Sequence, residues 1–197
     1  MKDEIVQKTL YHYMDGLMSL ANELNLRRDT HRMTDGKSYP FIPHDPIDLV
    51  RVFTNVERYL YNGGIKHDPT FLDAGCGIGN IMVLAHAVGF DVSGIDINPD
   101  LIELAHHMFA HNYNYTLDIC DILSYNKYHK YDIIYYFCPI HDVKLEKEFE
   151  KKVEKDAKKG AIIVAALKLD KTIYDNPNFD RLEHLEGLST ARVFQKR

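Results

Sequence analysis

The sequence lacks the features that mark membrane and exported proteins. Its 197 residues contain no apolar run of about 18 residues, the length that suggests a membrane-spanning helix. The opening Met1-Lys2-Asp3-Glu4 leads into no apolar segment of the kind found in signal peptides. No internal repeat or low-complexity tract is present. We therefore expect a cytoplasmic protein that does not associate with membranes.

Cysteine is also scarce. The chain has three, Cys76, Cys120 and Cys138, an odd number without the paired spacing of metal sites. This pattern favours a reducing compartment, and we interpret the three as small buried side chains rather than catalytic thiols. His107 and His111 are spaced as ligands on one helix face would be, but no third ligand accompanies them. We therefore predict no metal site.

Basic residues do not predominate. The 24 Lys and Arg residues are outnumbered by 29 Asp and Glu, which leaves a net charge of −5. A general nucleic-acid binder would carry a basic surface, so the composition argues against nucleic acid as a partner. The length predicts one domain, and the apolar content of 45% is ordinary for a globular protein. The composition does not indicate an oligomeric state.

The most informative segment is a glycine-containing turn that follows a short apolar strand. Residues 73–80 read Asp-Ala-Gly-Cys-Gly-Ile-Gly-Asn and lead into an apolar, helix-like run. Glycines allow the backbone to turn sharply and to approach a ligand closely. Their G-x-G-x-G spacing differs from the G-x-G-x-x-G of dinucleotide-binding proteins, which disfavours an NAD-dependent oxidoreductase. Asp73 would repel a pyrophosphate but suits a cationic ligand.

A second acid follows the next predicted strand. Asp96 lies about twenty residues beyond Gly75, where βαβ nucleotide sites place a ribose-binding carboxylate. One ionised carboxylate can accept hydrogen bonds from both ribose hydroxyls. The run Asn98-Pro99-Asp100 then starts a helix, because Asn is a good N-cap and Pro is favoured in the first helical position.

Strands and helices alternate along most of the chain. Strands are predicted over 70–74, 90–96, 115–120, 131–137 and 161–167, and helices over 80–88, 99–111 and 144–159. In the last helix Leu145, Phe149 and Val153 are expected to face inward and the Lys and Glu residues to be solvated. A terminal pair over 181–187 and 190–195 is expected to add an antiparallel edge strand. The alternation predicts an α/β fold with a mainly parallel sheet and helices on both faces.

The first part of the chain is predicted to be helical. Residues 4–25 suit an amphipathic helix, 27–44 a polar loop, and a second helix begins at Asp45-Pro46 and ends at Gly63-Gly64. We divide the chain into an N-terminal helical extension or lid, 1–64, and a ligand-binding domain, 65–197.

The D-x-G-x-G-x-G turn resembles motif I of the class I S-adenosylmethionine (SAM)-dependent methyltransferases, which have a Rossmann-like seven-stranded fold. The resemblance implies that Asp73 faces the methionine ammonium and that an acid after strand three, Asp121 with Ile122, binds adenine. Asp118 is the alternative, and Asp121 is preferred because it falls just past the strand. The SAM-binding residues implied are Tyr39, Asp73, Ala74, Gly75, Cys76, Gly77, Gly79, Asn80, Asp96, Ile97, Asp121, Ile122, Phe137 and Pro139.

The end of strand four is expected to face the transferred methyl group. Residues 136–142 read Tyr-Phe-Cys-Pro-Ile-His-Asp, not the Asp/Asn-Pro-Pro-Tyr of enzymes that methylate base amino groups. His141 is a candidate base because histidine as a residue type is suited to proton transfer near neutral pH, and Tyr136 is a second candidate catalytic residue. Asp142 is favoured as a helix N-cap over a base.

A finer resemblance lies upstream. The segment Tyr39-Pro40-Phe41-Ile42-Pro43, with motif I and Pro139, resembles the small lysine methyltransferases of mitochondria, which act on the ADP/ATP carrier and ATP synthase subunit c, and their bacterial relatives. This similarity covers about residues 39–168. It implies a protein lysine as acceptor. Because two prolines restrict the backbone of 39–43, we also expect this segment to hold one shape and to close over the methionyl end of SAM. The alternatives are a small-molecule N- or O-methyltransferase and a SAM-binding regulatory module without catalysis.

Overall fold

The computed structural model describes residues 46–109, 115–188 and 190–197. The predicted helix 4–25, the predicted loop 27–44 with the lid segment 39–43, and His111 lie outside the described residues. The helices are α1 (Pro46–Asn62), α2 (Asn80–Val88), α3 (Pro99–Met108) and α4 (Val143–Asp156). The strands are β1 (Thr70–Ala74), β2 (Asp91–Asp96), β3 (Tyr115–Ile119), β4 (Ile133–Phe137), β5 (Ile162–Ala166), β6 (Phe179–Arg181) and β7 (Ala191–Lys196).

The strands form one seven-stranded sheet in the order β3-β2-β1-β4-β5-β7-β6. The first five strands of the chain pair in parallel, whereas β7 is antiparallel to both β5 and β6. The predicted α/β, Rossmann-like, mainly parallel sheet is confirmed. The parallel register brings the carboxyl ends of β1 to β5 to one edge, where open α/β sheets bind ligands. Among the described residues no helix is both long and apolar enough to cross a membrane.

One core lies between the sheet and helices α1 to α3. Phe53 of α1 is fully buried and makes edge-on ring contacts with Phe71, Phe90 and Tyr135, with centroids 5.3, 6.1 and 5.9 Å away. These contacts combine large apolar burial with favourable ring geometry. The division of the chain at residue 64 stays a prediction, but α1, on its N-terminal side, packs into the core of the sheet.

A second core lies on the opposite face, beneath α4. Phe149 and Val153 are fully buried there, as their spacing predicts. The expectation that every charged residue of this helix is solvated is wrong. Glu146 and Glu150 have no exposed surface and Glu154 is 7% exposed, because the loops that follow β4 and β5 cover this side of the helix with polar partners.

The C-terminal strands also differ from the prediction. β6 is a short strand that ends at Arg181, and residues Glu183–Leu185 form a 3₁₀ turn where a strand over 181–187 was predicted. Leu188 donates its backbone N–H to the buried carboxylate of Asp48 in α1, 2.7 Å away. This long-range bond fixes the chain between β6 and β7. Furthermore, β6 forms the edge of the sheet, and the antiparallel β7 lies inside it.

Candidate functional site

The glycine turn joins β1 to α2 at the carboxyl edge of the sheet. Gly75, Gly77 and Gly79 have φ values of 84°, 54° and 79°, in the left-handed region that other residues rarely adopt. The N–H groups of Gly75 and Cys76 both donate to the carbonyl of Ile95 in β2, at 2.8 and 3.0 Å. The turn is therefore held by the neighbouring strand, and α2 begins behind it without a side-chain cap.

Asp73 is buried near the end of β1, directly before the glycines. Its carboxyl is 2% exposed, and Oδ2 has no hydrogen-bond partner among the described residues. Burial raises the pKa of Asp73 well above its usual range, and the nearby Asp96 raises it further. An unpartnered buried acceptor costs free energy, and a cation that reached it would remove that cost. The turn therefore suits a positively charged ligand, as the sequence predicts.

Asp96 lies at the end of β2 and connects two loops. Its Oδ2 accepts from the N–H of Gly77 at 2.9 Å, and its Oδ1 accepts from the N–H of Asn98 at 2.8 Å. Burial raises the pKa of Asp96, while the backbone N–H donors oppose that shift. Each carboxylate oxygen has a second lone pair, so the group can still accept from a diol. Ile97, the next residue, is 54% exposed and adds apolar surface at this point.

The loop after β3 lies beside the loop after β2. The N–H of Cys120 donates to the carbonyl of Asp96 at 2.9 Å, and Asp121 follows directly. The exposed Asp121 caps its own turn, since Oδ1 accepts from the N–H of Leu123 at 2.9 Å. The alternative acid, Asp118, lies within β3, and its carboxylate is 3.9 Å from Lys127 Nζ. The adenine role of Asp121 stays a prediction, with its position past the strand as expected.

The loop after β4 packs on the glycine turn. A methyl group built on Gly75 would lie 2.6 Å from Pro139 Cβ, so only glycine allows the two loops to approach this closely. Cys138 has a φ of 40°, unusual for a residue with a side chain. His141 is exposed at this edge. Asp142 caps α4 by accepting from the N–H groups of Lys144 and Leu145, both at 2.9 Å, which confirms the N-cap prediction.

Tyr136 lies near the end of β4, but its side chain packs on the side of the sheet that α4 covers. Its ring is fully buried beneath α4, 5.2 Å from the ring of Phe149, and its hydroxyl has no partner among the described residues. It belongs to the core on the side of α4, whereas the glycine turn packs against α2 on the opposite face. The catalytic role of Tyr136 stays a prediction, and we do not include it in the function proposed below.

Three more of the predicted SAM-binding residues, Ala74, Cys76 and Asn80, lie in or directly beside the glycine turn, whereas Ile122 is buried in the core on the opposite face. Ala74 ends β1, Cys76 lies between the first two glycines, and Asn80 follows the third; Cys76 and Asn80 are each 3% exposed. Burial raises the pKa of Cys76 well above its usual value, which favours the interpretation of a packed thiol. All three cysteines lie in the described part of the chain, and none forms a disulfide. Tyr39 lies outside the described residues.

Sequence reasoning missed Gly94 in β2 and Glu146 in α4. A methyl group on Gly94 would overlap Met82 Sδ and lie 2.8 Å from Cys76 Sγ, so this glycine lets α2 and the turn settle on the sheet. A glycine inside a strand is a known sign of close approach and could have been noticed. Glu146 accepts from the N–H of Ile140 at 2.9 Å. Nothing in its charged local sequence distinguishes it from its solvated neighbours.

The family follows from the match between this chain and a known domain. Residues 65–191 match a family model described as a methyltransferase domain. This chain belongs to the methyltransferase-domain family. The match includes the glycine turn and both acids, and the mainly parallel seven-stranded sheet is consistent with the Rossmann-like fold of the class I, SAM-dependent enzymes. The predicted family and cofactor are therefore confirmed, whereas the finer resemblance to lysine methyltransferases stays a prediction.

Solved structures share the fold at low sequence identity. Magnesium protoporphyrin IX methyltransferase from Synechocystis, with bound SAM, is 18% identical with a TM-score of 0.50, and the match covers 79% of this chain and 85% of that one. A SAM-dependent methyltransferase from Clostridium acetobutylicum is 19% identical with a TM-score of 0.50, over 80% and 65%. A putative RNA methyltransferase from Pyrococcus horikoshii is 14% identical with a TM-score of 0.52, over 73% and 83%. These similarities show the fold alone.

This chain spans only about half the length of two other similar structures. The match covers 53% of a second Pyrococcus horikoshii protein and 47% of a methyltransferase from Streptomyces caelestis. No curated protein matches the sequence.

Proposed function

We propose that this methyltransferase moves a methyl group from SAM to an amine, with a protein lysine as the favoured acceptor, and that it works in the cytoplasm. The observation that supports SAM as the methyl donor is the buried, unpartnered Oδ2 of Asp73 beside Asp96. Two acids at a glycine turn disfavour a pyrophosphate and favour a ligand with a cationic amino group and a ribose diol. The residues present therefore fit SAM.

The chain would hold SAM by the turn and the two loops beside it. Asp73 would meet the ammonium group, and Asp96, already oriented by two backbone donors, would accept from the ribose hydroxyls. Bound SAM would supply a methyl group on a positively charged sulfur, activated for in-line displacement by a nucleophile. The protein's remaining task is to orient the acceptor and to remove a proton from it.

The acceptor would enter beside the loop after β4. Among the exposed apolar residues of this edge are Val143, 56% exposed, and Leu167, 42% exposed, which directly follows β5. Apolar walls near several acids suit a long aliphatic side chain that ends in an amine. A lysine amine must be neutral to act as a nucleophile, and His141 at the same edge is the side chain that we assign to accept its proton. This arrangement supports lysine over a phosphate-bearing acceptor.

Labelling tests the acceptor class. The purified protein is incubated with methyl-tritiated SAM and a host lysate, which is then separated into protein, nucleic acid and small molecules. We expect the label in protein, with methyl-lysine recovered after acid hydrolysis. The matched control is Asp96→Ala, which should transfer little or no label. Label in small molecules would instead favour a small-molecule acceptor, and SAM binding without any transfer would favour a regulatory module.

A further inference from the structure

Three carboxyl groups share the buried face of α4. Glu146, Glu150 and Glu154 are spaced by four residues, which places them above one another on the helix; we call them the α4 carboxyl row. The first two have no exposed surface and the third is 7% exposed. Glutamate is almost never fully buried unless it is paired. The row therefore requires partners, and these lie in the loops at the carboxyl edge of the sheet.

Glu146 holds the loop after β4. Its Oε2 accepts from the backbone N–H of Ile140 at 2.9 Å, and its Oε1 has no hydrogen-bond partner among the described residues. Ile140 lies between Pro139 and His141 in the sequence, and Pro139 packs on Gly75 of the glycine turn. The carboxyl of Glu146 thus fixes the backbone of the loop after β4. This loop contacts the glycine turn through Pro139 and carries the candidate base, His141.

Glu150 holds the loop after β5 in the same manner. Its Oε1 accepts from the N–H of Leu169 at 2.8 Å and its Oε2 from the N–H of Asp170 at 2.5 Å. Lys168 Nζ, fully buried, lies 3.1 Å from Glu150 Oε2 and 2.8 Å from Glu154 Oε1. The two loops are neighbours, because β4 and β5 pair in parallel with Phe137 opposite Ala166.

Each loop contains a residue with unusual backbone geometry at the corresponding position. Cys138 has a φ of 40° and Leu167 a φ of 52°, and they are the only non-glycine residues with positive φ in the described part of the chain. In each case the α4 carboxyl row binds the N–H two residues farther on, and in the loop after β5 it also binds the N–H of Asp170. Strained backbone persists where the surroundings hold it, and it occurs most often at functional sites.

We propose that Glu146 and Glu150 are positioning residues, which hold the loops after β4 and β5 in the strained form that shapes the acceptor side of the site. This inference rests on the proposed function, since it assigns these loops to the acceptor side. Glu146 acts through Ile140 on Pro139 and His141. The alternative is that the carboxyl row only supports the general stability of the fold, and the two readings differ in which amides lose protection when Glu146 is replaced.

The test compares Glu146→Leu with Glu146→Gln, whose amide oxygen can still accept from Ile140. Glu148→Leu is the matched control, because Glu148 is an exposed residue of the same helix. Hydrogen exchange should become about tenfold faster at the Ile140 amide in Glu146→Leu, the change expected from loss of one hydrogen bond. Amides of Leu72 in β1 and Ile163 in β5 should keep their protection. Affinity for S-adenosylhomocysteine, measured by calorimetry, should fall about five- to tenfold, and Glu146→Gln should stay within about twofold of wild type.

A second measurement covers the possibility that Glu146→Leu does not fold. In NMR spectra of the wild-type protein, the chemical shift of the Ile140 amide should follow the titration of Glu146 between pH 6 and 9. In Glu146→Gln this pH dependence should be lost. The inference is overturned if exchange at Ile140 is unchanged, if Leu72 and Ile163 lose protection equally, or if the Ile140 shift does not titrate. S-adenosylhomocysteine affinity unchanged in Glu146→Leu would also overturn it, with the proposed function intact. Failure of the wild-type protein to bind this probe would overturn the proposed function and the positioning role together.

Discussion

At the scale of single residues, the site contains carboxyl groups that differ in how far the protein itself satisfies them. Asp96 accepts from two backbone N–H groups and so orders the glycine turn and the loop before α3. Asp73 Oδ2 is buried and unpartnered among the described residues. Asp96 therefore orders the backbone of the site, whereas Asp73 is the acid that a bound cationic ligand would stabilise most.

Asp96→Ala should weaken SAM binding by about 1.5–3 kcal/mol, the range for a hydrogen bond to a charged group. The substitution removes the acceptor for the ribose hydroxyls and releases the N–H of Gly77. Calorimetric titration with SAM measures the change. Asp91→Ala is the matched control, because Asp91 begins the same strand at the opposite edge and is exposed. Equal affinity in both variants would mean that Asp96 is not the ribose acid.

Gly77→Val should abolish SAM binding while the fold persists. Gly77 has a φ of 54°, so a β-branched residue would be strained there in addition to filling the space of the ligand. Gly160→Val provides the control, since Gly160 has a φ of 84° and nothing within 4 Å of a built methyl group. Both variants should lose about 1–2 kcal/mol of stability from the backbone. Normal SAM titration of Gly77→Val would show that the turn does not contact the ligand.

At the scale of elements, α4 binds the loops after β4 and β5, which we assign to the acceptor side, through Glu146 and Glu150. Asp142 caps its first turn with two hydrogen bonds of 2.9 Å. Asp142→Ala should therefore lower the free energy of unfolding by about 1 kcal/mol, measured by urea denaturation. Asp142→Asn keeps a capping oxygen and should be nearly neutral for both stability and methyl transfer. A large loss of transfer in a stable Asp142→Asn protein would contradict the cap assignment and favour Asp142 as a base.

The cofactor half of the site was predictable because its signals are local. Asp73, the glycines and Asp96 follow their strands at fixed spacing, and the order of strands and helices decides which ends meet at one edge. Asn98 was recognisable as a cap for the same reason, since its oxygen accepts from Asp100 and Leu101 within one turn. Chemistry that depends on short sequence distances can be inferred without coordinates.

The loops that we assign to the acceptor were less predictable because their contacts are long-range. Glu146 and Glu150 sit among lysines and glutamates, and only the loops after β4 and β5 make this face a buried one. Similarly, the bond from Leu188 to Asp48 joins residues 140 positions apart, and it lies just beyond the segment 181–187, where a strand was predicted and a 3₁₀ turn is found. In both cases tertiary contacts outweigh local pattern.

At the scale of the whole molecule, burial of acids links stability to pH. The groups whose pKa values burial raises include Asp73, Asp96, Glu146 and Glu154, and they lie around the carboxyl edge or beneath it. For each of them the native state binds a proton more tightly than the unfolded chain does. Their stabilising contribution is therefore present at low pH and is lost as the pH rises through the native pKa. Together these groups should make the free energy of unfolding fall as the pH becomes alkaline.

Glu146 provides the test of this linkage. Burial and, to a lesser extent, Glu150 raise its pKa from 4.5 to about 8, while the N–H of Ile140 and the charge of Lys168 oppose the shift. Between these values the native carboxyl is protonated and the unfolded one is ionised, so the free energy of unfolding falls with rising pH. From pH 6 to 8 it should fall by about 2 kcal/mol more in wild type than in Glu146→Gln, which cannot ionise. Urea denaturation at a series of pH values measures both curves, and parallel curves would show that Glu146 titrates at an ordinary pKa.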